Sequence, residues 1–151
     1  MVQNNTFANF DQYGLWINNG NDNEQGIWTD PVNSRVLVTN NILYHNNQSF
    51  DPQLSGLLVE DHLMLKVLTN YSDFYDNGVA DHPDPAENDS FHLGPGNLYV
   101  DPLFADYPQD YHLSDASPLK GNGFNGTDMG AYGGPYGDWT KTWSDYFEDP
   151  R

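Results

Sequence analysis

Residues 101–123 read Asp-Pro-Leu-Phe-Ala-Asp-Tyr-Pro-Gln-Asp-Tyr-His-Leu-Ser-Asp-Ala-Ser-Pro-Leu-Lys-Gly-Asn-Gly, and residues 128–133 close the segment with Asp-Met-Gly-Ala-Tyr-Gly. Short apolar strands, predicted at residues 98–100 and 111–113, alternate here with turn residues. The prolines and glycines exclude a long helix. We therefore interpret this segment as the terminator of a fold built from short strands.

The composition limits the size of the fold and excludes several functions. A chain of 151 residues can enclose one modest core. It carries 22 acidic and only 5 scattered basic residues, for a net charge of −17, which argues against nucleic acid as a partner. No apolar run approaches the roughly 20 residues that span a bilayer, so no membrane insertion is expected. The absence of Cys excludes disulfides.

An internal repeat precedes the terminator. Three segments align on Asn5, Asn41 and Asn70, with Asp101 continuing the register loosely: Val-Gln-Asn-Asn-Thr-Phe (2–7), Val-Thr-Asn-Asn-Ile-Leu (38–43) and Val-Leu-Thr-Asn-Tyr-Ser (67–72). Each predicts a strand followed by a bend, where Asn tolerates left-handed geometry and stacked copies can hydrogen-bond one another. A second set of apolar segments, beginning at Gly14, Gly56 and Gly78, follows the first.

The alternation of side chains assigns the faces of the predicted strands. Neighbouring residues of a strand point to opposite sides, so one set faces the core and the other faces solvent. Val36, Val38, Leu65 and Val67 are expected to point inward, while Leu37 and Lys66 point outward. A single coil of such strands cannot bury its apolar face, whereas stacked coils enclose a common core.

These motifs resemble the C-terminal coils of right-handed parallel β-helix proteins of the pectate-lyase-like superfold. The resemblance lies in the repeated Asn-Asn-x-hydrophobic pattern and in Asp-Pro-Leu-Phe, Asp-Tyr-His-Leu, Ser-Pro and Asp-Met-Gly-Ala of the terminator. It implies an all-β solenoid of three to four coils over residues 1–104, with a short capping segment over residues 105–151. It also implies a secreted or cell-surface protein, of a kind that is often carbohydrate-active.

The two ends of such a solenoid need cover, because exposed strand edges and core side chains invite pairing. Asp138 can N-cap a helix over residues 139–148 that aligns Trp139, Trp143 and Tyr146/Phe147 on one face. We read this tail as part of a cover, with a carbohydrate-stacking platform as the alternative.

Nothing precedes Val2 to cap the first coil, which predicts either a truncated β-helix or a homo-oligomer through that coil. Residues after Met1 do not form a signal peptide, so an export signal would lie in a missing part.

A cation site is predicted in the loop over residues 81–90. Asp81, Asp84, Glu87 and Asp89 offer four carboxylates between prolines, and Ca²⁺ takes six to eight oxygen ligands. A solvated acidic loop is the alternative. For Asp101, Asp110 and Asp128 in the terminator we favour a structural role, as carboxylates that accept backbone N–H groups at bends.

The sequence does not identify a complete set of catalytic residues. The resemblance implies polysaccharide lyases, which pair Ca²⁺ with a basic residue, or glycoside hydrolases, which use paired carboxylates. Lys66 is the best available lyase base, since it is the basic residue on a predicted strand beside the acidic loop. Whether the chain is an enzyme stays open, because neither constellation of residues can be assigned in full.

Two functions follow from these observations. The first is a protein that acts on or binds polysaccharide, with Ca²⁺ and with Trp16 and Trp28 as sugar-stacking residues. The second is a non-catalytic structural or adhesion scaffold, which the shortage of basic residues favours. An acidic surface repels polyuronates, so a neutral glycan is the easier ligand.

Overall fold

The computed structural model describes residues 1–17, 34–48, 55–60 and 65–133, and these form an all-β structure. The strands are β1 (Val2–Gln3), β2 (Thr6–Ala8), β3 (Leu15–Ile17), β4 (Ser34–Thr39), β5 (Ile42–Tyr44), β6 (Leu57–Val59), β7 (Leu65–Asn70), β8 (Asp73–Tyr75), β9 (Phe91–Leu93), β10 (Phe104–Asp106) and β11 (Asp110–Leu113). One 3₁₀ turn, Phe124–Gly126, follows them. The predicted strand at residues 111–113 is confirmed, whereas residues 98–100 contribute only a bridge from Leu98 to Asp73.

Strands three elements apart pair in parallel, and β9 pairs in parallel with β7, two elements before it. Sheet A has the order β1-β4-β7-β9, sheet B the order β2-β5-β8, and sheet C pairs β3 with β6. We use the word pass for each stretch of chain that contributes one strand to sheet A and then one to each following parallel sheet in turn. The first pass covers residues 2–17, and the second covers residues 34–59. The third pass starts at residue 65. This all-β, parallel arrangement confirms the coarse fold prediction and is consistent with a β-solenoid. No helix in the described part of the chain is long and apolar enough to cross a membrane.

The core lies between the three parallel sheets. Its fully buried side chains come from all three sheets: Val38, Leu65, Val67 and Phe91 from sheet A, Leu43 and Phe74 from sheet B, and Leu57 from sheet C. Lys66 and Leu68, between the inward residues of β7, are exposed. The predicted alternation along β7 is therefore confirmed.

The bend between sheets A and B carries a ladder of polar side chains. Asn41 Oδ1 accepts hydrogen bonds from the Asn5 backbone N–H at 3.0 Å and from Asn5 Nδ2 at 3.1 Å. Asn41 N–H donates to Ser72 Oγ at 3.2 Å, and Ser72 N–H donates to Asn97 Oδ1 at 3.1 Å. Stacked copies thus bond one another, as the sequence predicted for Asn5 and Asn41.

The third member of the predicted alignment is wrong. Asn70 is the last residue of β7 and pairs with Thr39, so the bend comes two residues later, at Ser72. The shared Val-x-x-Asn spacing misled the alignment, because Val67 pairs with Val36 and not with Val38. Asp101 likewise lies beyond the ladder, whose fourth member is Asn97.

A second ladder, which the sequence analysis missed, stands where sheet B ends. Asn46 N–H and Nδ2 both donate to Asn77 Oδ1, at 3.2 and 2.9 Å, and the Phe10 N–H donates to Asn46 Oδ1 at 3.2 Å. The predicted equivalence of Gly14 and Gly56 is confirmed by the bond from Gly14 N–H to the Gly56 carbonyl at 2.9 Å.

Gly78 is not the third member of that glycine set. Gly56 N–H donates to the Ala80 carbonyl at 3.0 Å, which places Ala80 and not Gly78 beside it. Gly78 instead adopts a φ of 73°, and a Cβ there would lie 2.3 Å from the Asn47 carbonyl oxygen. Glycine is required at this position by the backbone and by the close approach of the neighbouring pass.

The segment from residue 101 to residue 133 packs along the outer side of sheet B. Strands β10 and β11 form an antiparallel hairpin, and Leu119 and Met129 bury Ile42 in a second apolar cluster. Gly130 N–H donates to the Asn40 carbonyl at 2.8 Å, and Ala131 N–H donates to Thr6 Oγ1 at 3.1 Å. The terminator thus runs back to the first pass.

The far end of the core is covered by side chains of the third pass and beyond. The His82 ring lies 5.2 Å from the rings of both Phe74 and Phe91, and Tyr99 stacks on Phe74 at 6.0 Å. A hydrogen bond of 2.8 Å joins His82 Nε2 to the Tyr99 hydroxyl. His82 therefore has a packing role at the end of the core.

Candidate functional site

Trp16 stands on the outer face of sheet C. Its neighbours Leu15 and Ile17 point toward the core, so alternation turns the indole outward, where 49% of the residue is exposed. Trp16 Nε1 donates to Glu60 Oε1 at 3.1 Å, which fixes the orientation of the ring. The Tyr13 ring centroid lies 5.8 Å away, at an angle of 39°. We call Trp16, Tyr13 and Glu60 the aromatic platform.

The platform combines the features that a sugar ring requires. An exposed indole offers a flat apolar face to the C–H groups of a pyranose, while carboxylate and hydroxyl groups beside it can bond the sugar hydroxyls. Trp28, the second predicted stacking residue, lies outside the described residues.

A cleft of about 290 Å³ lies between β2 and the terminator. It is lined by Thr6, Ala8, Phe10, Tyr111, Ala131 and Tyr132. Asn9 Nδ2 donates to the Tyr111 hydroxyl at 2.8 Å, and burial raises the pKa of that hydroxyl. His112 stacks on Tyr132 with ring centroids 3.7 Å apart. Sequence reasoning missed this cleft because no local motif links residues about one hundred positions apart.

The four carboxylates of the acidic loop have separate surroundings. Asp81 Oδ1 accepts from Asn77 Nδ2 at 3.0 Å, and Asp84 Oδ1 accepts from the Ala86 N–H at 2.8 Å. Glu87 and Asp89 are exposed. Among the residues that the structure describes, no three His, Asp or Glu side chains are arranged to hold a metal. The structure does not bring the predicted calcium ligands together, and Ca²⁺ binding stays a prediction.

Lys66 lies beside the acidic loop, as the sequence analysis supposed. It is exposed on β7, opposite Arg35 of β4, and its Nζ donates to the Asp89 backbone carbonyl at 2.7 Å. A general base must accept a proton from a bound substrate, whereas Lys66 here acts as a donor to the loop. Its role as a lyase base stays a prediction.

The three aspartates of the terminator accept backbone N–H groups at turns. Asp101 Oδ1 accepts from Leu103, Asp110 Oδ1 from His112 and Asp128 Oδ1 from Gly121, at 2.9, 2.9 and 2.8 Å. The bonds from the His112 backbone and ring lower the pKa of Asp110. Their predicted structural role is confirmed.

Asp73 is a titratable residue that sequence reasoning missed. It is fully buried on β8, paired with Ile42, and its Oδ1 accepts from the Val100 N–H at 3.1 Å. Its Oδ2 has no hydrogen-bond partner among the described residues. Burial raises the pKa of Asp73 to about 8, against the smaller opposing effect of the Val100 hydrogen bond. The carboxyl group is therefore mainly protonated at neutral pH.

Comparisons with protein-family models, with curated proteins and with solved structures returned no match to this chain.

Proposed function

We propose that this chain belongs to a right-handed parallel β-helix protein that acts outside the cell or on its surface and binds a neutral polysaccharide. The observation that carries the proposal is the half-exposed indole of Trp16, held by its bond to Glu60 at 3.1 Å beside Tyr13. The parallel pairing of successive passes and the resemblance of the terminator support the fold.

The net charge of the protein indicates which class of glycan it binds. A protein with a net charge of −17 repels a polyuronate, whereas a neutral chain meets no such barrier. Stacking on an aromatic face depends on apolar area, and hydroxyl groups of the sugar would bond to Glu60. Neutral oligosaccharides are therefore the ligands to test first.

A binding role is preferred to catalysis for the described part of the chain. Lys66 donates to a backbone carbonyl, and the carboxylates of the acidic loop each have their own surroundings. A lyase-like, Ca²⁺-dependent reaction remains the alternative, together with an adhesion scaffold that binds no glycan.

Binding of neutral oligosaccharides by calorimetry tests the proposal. We expect Trp16→Ala to weaken binding by about tenfold or more, equivalent to about 1.4 kcal/mol. Phe124→Ala, which removes an aromatic ring of similar exposure in the terminator, serves as the control and should leave the affinity unchanged. Binding that survives Trp16→Ala but is lost in Phe10→Ala would assign the ligand to the cleft instead. No binding by any neutral glycan would leave the scaffold as the function.

A further inference from the structure

The cleft between β2 and the terminator is lined entirely by uncharged side chains. One wall comes from the first pass and the other from the terminator: Thr6, Ala8 and Phe10 face Tyr111, Ala131 and Tyr132. The chain as a whole carries 22 acidic residues, yet none of them lines this cleft. A neutral ligand can therefore enter it without stripping water from a carboxylate.

Two hydrogen bonds join the walls of the cleft. The Ala131 N–H donates to Thr6 Oγ1 at 3.1 Å, and Asn9 Nδ2 donates to the Tyr111 hydroxyl at 2.8 Å. Asn9 is held in turn, because its Oδ1 accepts a hydrogen bond from the Tyr107 hydroxyl. The walls are thus fixed relative to each other before a ligand arrives, which lowers the entropic cost of binding.

The same two bonds leave two O–H groups available to a ligand. In each case the hydroxyl oxygen accepts an N–H of the protein, so its own hydrogen is still free to be donated. Among the described residues no acceptor receives the hydrogen of the Thr6 or the Tyr111 hydroxyl. The cleft therefore presents two positioned donors, which suit a ligand that carries acceptor oxygens.

Aromatic rings in the cleft supply the apolar contact. Phe10 is 49% exposed and Tyr132 is 37% exposed. The His112 ring stacks on Tyr132 with centroids 3.7 Å apart, and a hydrogen bond joins the His112 ring to Asp110. A pyranose fits this combination, because its C–H faces pack on aromatic rings while its oxygens accept hydrogen bonds. The volume of about 290 Å³ suits one small ring system and not a folded segment.

We propose that this cleft is a second sugar subsite, which binds a neutral pyranose unit of the same glycan that stacks on Trp16, an assignment that rests on the proposed function of the aromatic platform. Phe10 and Trp16 lie six residues apart in the first pass, so their backbones are at most about 20 Å from each other. One oligosaccharide of several units spans that distance. Trp16 then binds one sugar by stacking, and the cleft binds another through its O–H donors.

Calorimetric titration of the full-length protein with neutral glucose hexasaccharides, α-linked and β-linked, tests the proposal. Tyr111→Phe removes one O–H donor and keeps the ring, so we expect binding to weaken by about three- to tenfold. Ala8→Leu fills the cleft from β2 and should weaken binding by at least about tenfold. Tyr75→Phe removes a hydroxyl from β8, outside the cleft, and should leave the affinity unchanged. One hexasaccharide should bind per chain.

The pattern of affinities distinguishes failure of the cleft from failure of the platform. Unchanged binding in Tyr111→Phe and Ala8→Leu, with weaker binding in Trp16→Ala, would overturn the second subsite alone. Weaker binding in the cleft variants but not in Trp16→Ala would support the cleft and overturn the platform. Two hexasaccharides per chain would overturn the shared glycan, and no binding by the parent protein would overturn both sites. The thermal unfolding midpoint of each variant shows whether its fold is intact, and Tyr111→Phe decides alone if Ala8→Leu unfolds.

Discussion

Asn41 Oδ1 accepts two hydrogen bonds from Asn5, one from its backbone N–H and one from its Nδ2, across two stacked passes of the chain. Asn41 Nδ2 donates in turn to the carbonyls of Val2 and Thr39, at 3.0 and 2.9 Å. One buried amide thereby satisfies the backbone at the bend of its own pass and of the pass before it.

Asn41→Ala should therefore lower the free energy of unfolding by about 2–4 kcal/mol, because each buried partner left without a hydrogen bond costs about 1–3 kcal/mol. Urea unfolding measures the change. Asn70→Ala is the matched control, since Asn70 lies outside the ladder and its Oδ1 has no partner among the described residues. Equal losses at the two positions would contradict the register described above.

Local periodicity made the strands and their faces predictable. Alternation along β7 follows from residues within a few positions of each other, and the Asn5–Asn41 stack follows from one short motif that recurs 36 positions later. In the third pass Ser72 stands at the bend in place of Asn, and its hydroxyl accepts the hydrogen bond there. Because Ser does not repeat the Asn pattern, the sequence alignment of this pass was wrong. The cleft and the burial of Asp73 depend on packing between residues distant in sequence, which no local pattern encodes.

The docking of the terminator on sheet B predicts unequal effects of alanine at two glycines. Gly126 and Gly130 both have positive φ, 74° and 85°, so Ala at either position costs about 1–2 kcal/mol in backbone strain. At Gly130 the Cβ would lie 2.5 Å from Ile42 Cδ1 and 2.9 Å from Thr6 Oγ1, whereas at Gly126 it would meet no atom within 4 Å. Gly130→Ala should thus destabilise the protein by at least about 1 kcal/mol more than Gly126→Ala does.

Thermal unfolding of both variants measures this difference. If Gly126→Ala proves as damaging as Gly130→Ala, then the terminator does not contact Ile42 and Thr6 as described.

Substitutions of Asp84 distinguish a structural role of this residue in a turn from a role in metal binding. Its Oδ1 accepts the Ala86 N–H at 2.8 Å, so Asp84→Ala should lower the free energy of unfolding by about 0.5–1.5 kcal/mol through loss of that bond. The loss should be the same in EDTA and in millimolar Ca²⁺. Asp84→Asn, which keeps an acceptor oxygen, should lose less.

Thermal unfolding in the two solutions provides the comparison. A Ca²⁺-specific rise of the midpoint that vanishes in both Asp84 variants would establish the predicted cation site, because only a ligand bound to the native state stabilises it.

Asp73 predicts a characteristic dependence of stability on pH. Its pKa is about 8 in the folded protein, against 3.8 for the free side chain, so the folded state holds a proton that the unfolded state releases. Between about pH 4 and pH 8 each rise in pH then favours unfolding, by at most about 1.4 kcal/mol per unit. Below this window Asp73 is protonated in both states, and its contribution no longer depends on pH.

Asp73→Asn should remove this dependence, because the amide keeps an acceptor for the Val100 N–H and carries no charge. The variant should match the parent protein near pH 4 and exceed its free energy of unfolding increasingly up to pH 8, as measured by urea unfolding at each pH. Asp89→Asn, at an exposed carboxylate, controls for the change in net charge and should not show this trend. The opposite result is that the free energy of unfolding of the parent protein exceeds that of Asp73→Asn by an amount that grows with pH. It would mean that Asp73 is charged in the folded state and has a partner there.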